Sequence, residues 1–184
     1  VSSTMSNLIE ESTRGTRQLI TQVESKIPTK IGARNLLRNG DFSQGITYWR
    51  SNSGNPDVTI NATTDLKNKV GRKGALWLSS NRVVPYGQGV HQRIDDVQLT
   101  AGDKLTFSFD IVGHNNNASL LIIANGENFD ARTTVSPYQI PNITNDFNKT
   151  SLRRLQVTLD VRVDVTAFNF IVVFADGTFG NVVM

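Results

Sequence analysis

The chain has 184 residues, room for one ordinary domain with a short appendage but not for two full cores. Hydrophobic residues make up 38% and charged residues 19%, the balance of a packed globule, and the longest apolar stretch, Phe168 to Ala175, is broken by Asn169 and is far too short to cross a bilayer. The lack of cysteine excludes a disulfide scaffold and a thiolate zinc site, and a net charge of +3 scattered along the chain lacks the basic stripe of a nucleic-acid binder.

The chain starts at Val1, with no initiator methionine and no charged-then-apolar opening of a secretory signal, so it is expected to be a piece of a longer polypeptide. Over residues 1–31, Ile9, Thr13, Thr16, Ile20, Val23 and Ile27 recur at alternating steps of four and three, an a/d seam with two threonines in it. Ser6 suits an N-cap and Pro28 a stop. A seam this short and this polar does not hold a lone helix in water. The expectation is an N-terminal helix that packs on its own domain or on copies of itself as a dimeric or homotrimeric stalk.

From Asn35 the period changes to two. Leu105, Phe107, Phe109 and Ile111 alternate with Thr106, Ser108 and Asp110; Leu155, Val157 and Leu159 alternate with polar neighbours; Phe168, Phe170, Val172 and Phe174 repeat the pattern. Ala118 to Ala124 is an apolar run but for Ser119 and reads as a central strand covered on both faces. Glycine-bearing breaks at Asn39-Gly40, Gly71 to Gly74, Gly87 to Gly89, Gly102 and Asn125-Gly126 separate the segments. Eight to ten short strands at this spacing predict an all-β, two-sheet antiparallel jelly-roll sandwich over residues 32–184, preceded by the short helix.

Catalysis has little to work with. His91 and His114 are the only histidines, and no nucleophile elbow, zinc-protease motif or phosphate loop occurs. Asp95 and Asp96 are adjacent, so a strand would aim them at opposite faces rather than pair them as acid and base. The chain is not expected to be an enzyme. Eighteen asparagines offer amides that both donate and accept, suited to hydroxyl-rich ligands as well as to turns. Trp77, in Gly74-Ala-Leu-Trp-Leu-Ser-Ser80, points outward if Leu76 and Leu78 point inward, and an outward indole offers a stacking surface for a sugar ring unless a loop covers it. His91 and Arg93 share the polar face of Gly89-Val-His-Gln-Arg-Ile94, whereas Trp49 reads as a core anchor.

Three segments carry a family resemblance. Asn35-Leu-Leu-Arg-Asn-Gly-Asp-Phe-Ser-Gln-Gly-Ile-Thr-Tyr-Trp49, Gly89-Val-His-Gln-Arg-Ile94 and Leu99-Thr-Ala-Gly-Asp-Lys-Leu-Thr-Phe-Ser-Phe109 resemble the opening and middle of family 4/9-type carbohydrate-binding modules, with Ile171 to Phe174 and Phe179 to Val182 similar to the closing strands. The polar lead-in through Lys30 to Leu37 resembles the joints of such modules in tail and baseplate proteins of phages of Gram-positive bacteria. The resemblance implies a non-catalytic module on a virion that binds host cell-wall or surface polysaccharide through a sheet face or loop rim. The resemblance carries over Asn125, Phe129 and Tyr138 as contacts, which join Trp77, His91, Arg93 and Asp110 in the expected site, with other tail subunits as partners and neither nucleic acid nor membrane insertion. It also implies a structural calcium between Asp41 and a position on the last strand held here by Asn181, where the loss of an acidic charge weakens a hard-cation site. Two other readings fit the same residues: a tail adaptor or spacer that binds no sugar, and a module appended to a bacterial polysaccharide hydrolase.

Overall fold

In the computed structural model the described residues are 35–63, 74–114, 117–143 and 152–184, and the N-terminal helix expected over 1–31 lies outside them. Residues Leu37–Met184 form one compact unit. Among the described residues the chain makes eleven strands: β1 (Arg50–Ser51), β2 (Val58–Thr63), β3 (Ala75–Val84), β4 (Gly89–Ile94), β5 (Lys104–His114), β6 (Leu120–Gly126), β7 (Phe129–Val135), β8 (Asn142–Ile143), β9 (Arg153–Asp160), β10 (Phe168–Phe174) and β11 (Thr178–Val183).

These strands build two sheets. The first has the order β1-β4-β10-β6-β7; the second runs β2-β3-β11-β5-β8, with β9 also paired to β5. All pairings are antiparallel except the two-residue contact of β8 with β5. The period-two segments read from the sequence supply the layer between the sheets: Leu105, Phe107 and Ile111 of β5 and Leu76 and Leu78 of β3 from one side, Phe168, Phe170, Val172 and Phe174 of β10 from the other, all buried. Each such side chain contributes roughly 1.5–3 kcal/mol by leaving water.

An aromatic file ties the sheets together. Phe107 and Phe170 stack with centroids 4.3 Å apart, Trp49 meets Phe170 edge-on at 6.1 Å, and Phe42 lies 5.3 Å beyond Trp49. Trp49 is the core anchor the sequence suggests, its indole N–H donating to the Asn39 carbonyl at 3.0 Å. The Asn39 amide in turn donates to the carbonyls of Gly45 and Thr47 and accepts from the Gln44 N–H, which holds the loop before β1 in shape. Gln92, the inward polar residue of β4, is buried yet satisfied: its amide exchanges hydrogen bonds of 2.8 and 2.9 Å with the backbone of Arg38, in the manner of a ladder rung.

Register decides what faces out. The Glu127-Asn128 turn, with Asn128 in the left-handed region (φ 57°), pairs Gly126 with Phe129 and Asn125 with Asp130. Pairing partners share a face, so Phe129 follows inward-facing Gly126 while Asp130 and Arg132 join Asn125 on the outside. Gly89 admits the closest approach in this sheet: a Cβ there would stand 2.1 Å from the Val172 carbonyl oxygen.

Candidate functional site

The outer face of the first sheet carries two transverse rows of polar side chains. Arg50 (β1), His91 (β4), Ile171 (β10), Ile123 (β6) and Arg132 (β7) stand side by side in register. One step along the strands, Arg93, Asn169, Asn125 and Asp130 form the second row. On the other flank, Val173, Leu121 and Thr134 complete the surface. Ile123 and Val173 are almost wholly buried although they point away from the core, so the face has an apolar floor, and its amide, carboxylate, imidazole and guanidinium groups stand around it.

A flat ring reaches this face from outside the sheet. Tyr86, in the β3–β4 loop and half exposed, lies under the Arg132 guanidinium, whose carbon is 5.9 Å from the ring centroid and whose Nη1 is 3.4 Å from the phenolic oxygen. Arg132 also holds Asp130 at 2.5 Å, and that charge-assisted bond raises the guanidinium pKa above its ordinary value. Both partners remain about half exposed, so the pair fixes the geometry of a surface rather than stabilising the fold. The donors left on Arg132, the carboxylate of Asp130 and the Tyr86 ring present hydrogen-bonding and stacking groups to the same side.

The surroundings of His91 favour its neutral form. Burial lowers its pKa below the usual 6.5, and the neighbouring Arg50 cation lowers it further. Its Nδ1 is hydrogen-bonded to Asn52 Oδ1, an acceptor, so Nδ1 carries the proton and Nε2 is left as an acceptor.

The seven expected contacts divide among four places. His91, Arg93 and Asn125 come together on the outer face of the first sheet. Trp77 and Asp110 point away from the core on the second sheet, on the opposite side of the sandwich. There Trp77 packs on Ala75, Val112 and Val183 and donates from Nε1 to Asn181 Oδ1 at 3.2 Å, while Asp110 meets Arg154 at 3.4 Å. Tyr138, in the β7–β8 crossover, is 95% exposed and belongs to neither face. Phe129 does not fit the expectation of a stacking ring: it is 3% exposed and faces the core, because the two-residue turn sets its parity. Tyr86, Asp130, Arg132 and Asn169 are not among the contacts expected from the sequence. Alternation within Phe129 to Val135 would have marked Asp130 and Arg132 as one face, but nothing local marks Tyr86, whose place depends on a strand three positions away.

Asp41 and Asn181, the two positions of the implied calcium site, lie apart in the fold. Asp41 lies beside the start of β3, since a Cβ on Gly74 would touch the backbone of Phe42 and Ser43, whereas Asn181 pairs with Ser79, five residues or roughly 17 Å further along the strand. Asn181 Oδ1 already accepts from Trp77 and from Ser79 Oγ, and Asp41 Oδ1 accepts from Ser43. Among the described residues no three acidic or imidazole groups cluster as a metal would need.

No protein-family model matches the sequence, and no curated protein matches it either. Solved structures do match in fold. The structure of TmCBM61 in complex with β-1,4-galactotriose aligns over 82% of this chain and 93% of its own, with a TM-score of 0.53 at 13% identity. A protein from Bacteroides thetaiotaomicron VPI-5482 proposed to bind sugar aligns over 82% and 95%, with the same TM-score and identity. At that identity the likeness speaks for the fold alone: this chain shares the two-sheet β-sandwich of these two structures.

Proposed function

We propose that this chain is a non-catalytic carbohydrate-binding module whose binding surface is the outer face of the first sheet. The observation that carries the reading is the in-register platform of His91, Arg93, Asn169, Asn125, Asp130 and Arg132 over an apolar floor, with the Tyr86 ring across it. Sugars present hydroxyls that both donate and accept, and C–H faces that settle on flat rings. The platform supplies amides for the first, charged groups for tight directional bonds, and Tyr86 with the half-buried Ile171 and Leu121 for the second. The carbohydrate ligands and sugar-binding role attached to similar folds support the same reading.

The setting we propose is a phage tail or baseplate, with host cell-wall or surface polysaccharide as the ligand and other tail subunits as partners. It rests on the resemblance of Asn35 to Trp49 and of the polar lead-in. An open face binds a mobile chain weakly, since ordering the sugar and stripping its water offset the contacts. Several copies on one particle, as a stalk through residues 1–31 would provide, raise avidity by roughly 10²–10⁴-fold where geometry permits.

The test is a glycan array followed by calorimetry on the strongest oligosaccharide. Saturable binding that Tyr86→Ala and Asn125→Ala each weaken is expected. A chain that binds no saccharide on the array, or whose binding ignores both substitutions, overturns the proposal.

A further inference from the structure

Beyond the row Arg93–Asn169–Asn125–Asp130 the face does not simply end. A cavity of about 430 Å³ opens there, between the β6–β7 turn and the β9–β10 connection, lined by Arg93, Gly126, Glu127, Asn128, Asp164 and Ala167 among others. Its volume falls in the roughly 300–1,000 Å³ range of small-molecule sites.

The walls are fixed before any ligand arrives. The β9–β10 connection is stitched to residues 97–99 by three backbone hydrogen bonds: Leu99 and Val165 exchange two, and the Val97 N–H donates to the Thr166 carbonyl. Asp164 Oδ1 accepts from the Ala101 N–H at 2.9 Å, and Arg93 Nε donates to Asp95 at 2.9 Å. Gly126 lets the turn close on β10, for a Cβ there would meet the Ala167 carbonyl oxygen at 2.9 Å. The groups left to act on a ligand are the second oxygen of Asp164, the terminal nitrogens of Arg93, the Asn128 amide and the Glu127 carboxylate, which has no partner among the described residues.

We propose that this cavity is a subsite for the terminal unit of the bound glycan, selecting a neutral or amino-bearing sugar and rejecting one that ends in a carboxylate or phosphate. The proposal rests on the platform reading and adds to it the specificity of its end. Arg93 belongs to both the platform row and the cavity lining, so a chain lying along the row leads its last unit into the pocket. The charge sets the selection. Arg93 is already matched by Asp95, which leaves Glu127 and Asp164 to give the pocket a net negative field. Carboxylates there accept from vicinal hydroxyls or an ammonium, and an incoming anion meets like charge.

The experiment is a ¹H–¹⁵N correlation titration of the full chain with single sugars: D-glucose, D-galactose, N-acetyl-D-glucosamine, D-glucosamine and D-glucuronate. At least one of the first four is expected to shift the amides of Gly126 to Asn128 and Asp164 to Ala167 saturably in the millimolar range, with glucuronate at least about tenfold weaker. Glu127→Gln, an exposed change that leaves the fold alone, should weaken the neutral or amino sugar and narrow the gap to glucuronate. Silence of those amides with all five sugars overturns the inference, as does glucuronate binding as tightly as the strongest of the first four. Titration with the array's strongest oligosaccharide separates the two readings: shifts at His91, Asn169 and Arg132 with a silent cavity remove the end subsite alone, and silence at both removes the platform as well.

Discussion

Removing Arg132 separates binding from folding more cleanly than any other change on the platform. In Arg132→Ala the folded state loses a 2.5 Å bond to Asp130 and a cation–π contact with Tyr86, but both charged partners are about half exposed. Exposed pairs of this kind are worth about 0–1 kcal/mol, and for a domain of this size each kcal/mol moves Tm by roughly 2–4 °C. The melting temperature should therefore fall by no more than about 4 °C. The effect on the ligand is different in scale. A guanidinium donating to a sugar hydroxyl is a charge-assisted bond of about 1.5–3 kcal/mol, so its loss costs about tenfold to a hundredfold in Kd. The Tyr86 ring also loses the group that positions it, which places the loss toward the upper part of that range. Calorimetry gives the affinity and differential scanning the Tm. Unchanged affinity at an unchanged Tm would refute the placement of the site on this face, and a collapse in Tm would refute the claim that the pair is a surface device.

The remaining predictions probe the frame and its pH response. Trp77→Ala, on the opposite sheet, should lower stability by about 1–3 kcal/mol in urea denaturation through lost packing on Val112 and Val183, while glycan affinity stays within twofold. Phe129→Ala should cost about 3–5 kcal/mol, the penalty of a core cavity, measured the same way. Gly89→Ala forces a methyl to within 2.1 Å of the Val172 carbonyl, so β4 and β10 must part; a loss of about 1–3 kcal/mol is expected. His91 has a folded-state pKa below its unfolded value, so in acid the unfolded chain takes up a proton that the folded chain does not. Its share of stability is present above about pH 6.5 and is lost as pH falls through the lowered folded pKa. Glycan affinity should fall over the same acid range as Nε2 stops accepting, and His91→Gln should flatten both profiles.

How much of this was legible in the sequence differs from strand to strand. The alternation in Lys104 to Ile111 and in Phe168 to Phe174 marks inward faces directly, because burial on one side of a pleat leaves a period of two. The run Ala118 to Ala124, apolar but for Ser119, was legible as a strand covered on both faces, and Ile123 is indeed buried on the outer side. His91 and Arg93 were legible as the outward face of their strand, opposite Val90, Gln92 and Ile94, whereas Asn125 came from the family resemblance. Phe129 went astray because a two-residue turn, not composition, sets which way it faces. Trp77 and Asp110 sit on outward positions just as well, but no local pattern says to which of two sheets a strand belongs. Tyr86 was invisible for the same reason: its contact with Arg132 of β7 exists only once the chain has folded, three strands away from β4.

A crystal structure of the chain with the array's strongest oligosaccharide tests the central claim most directly. The sugar should lie across the first sheet against Tyr86, Asn169, Ile171 and Arg132. Density for it on the opposite sheet, against Trp77 and Asp110, would contradict that account.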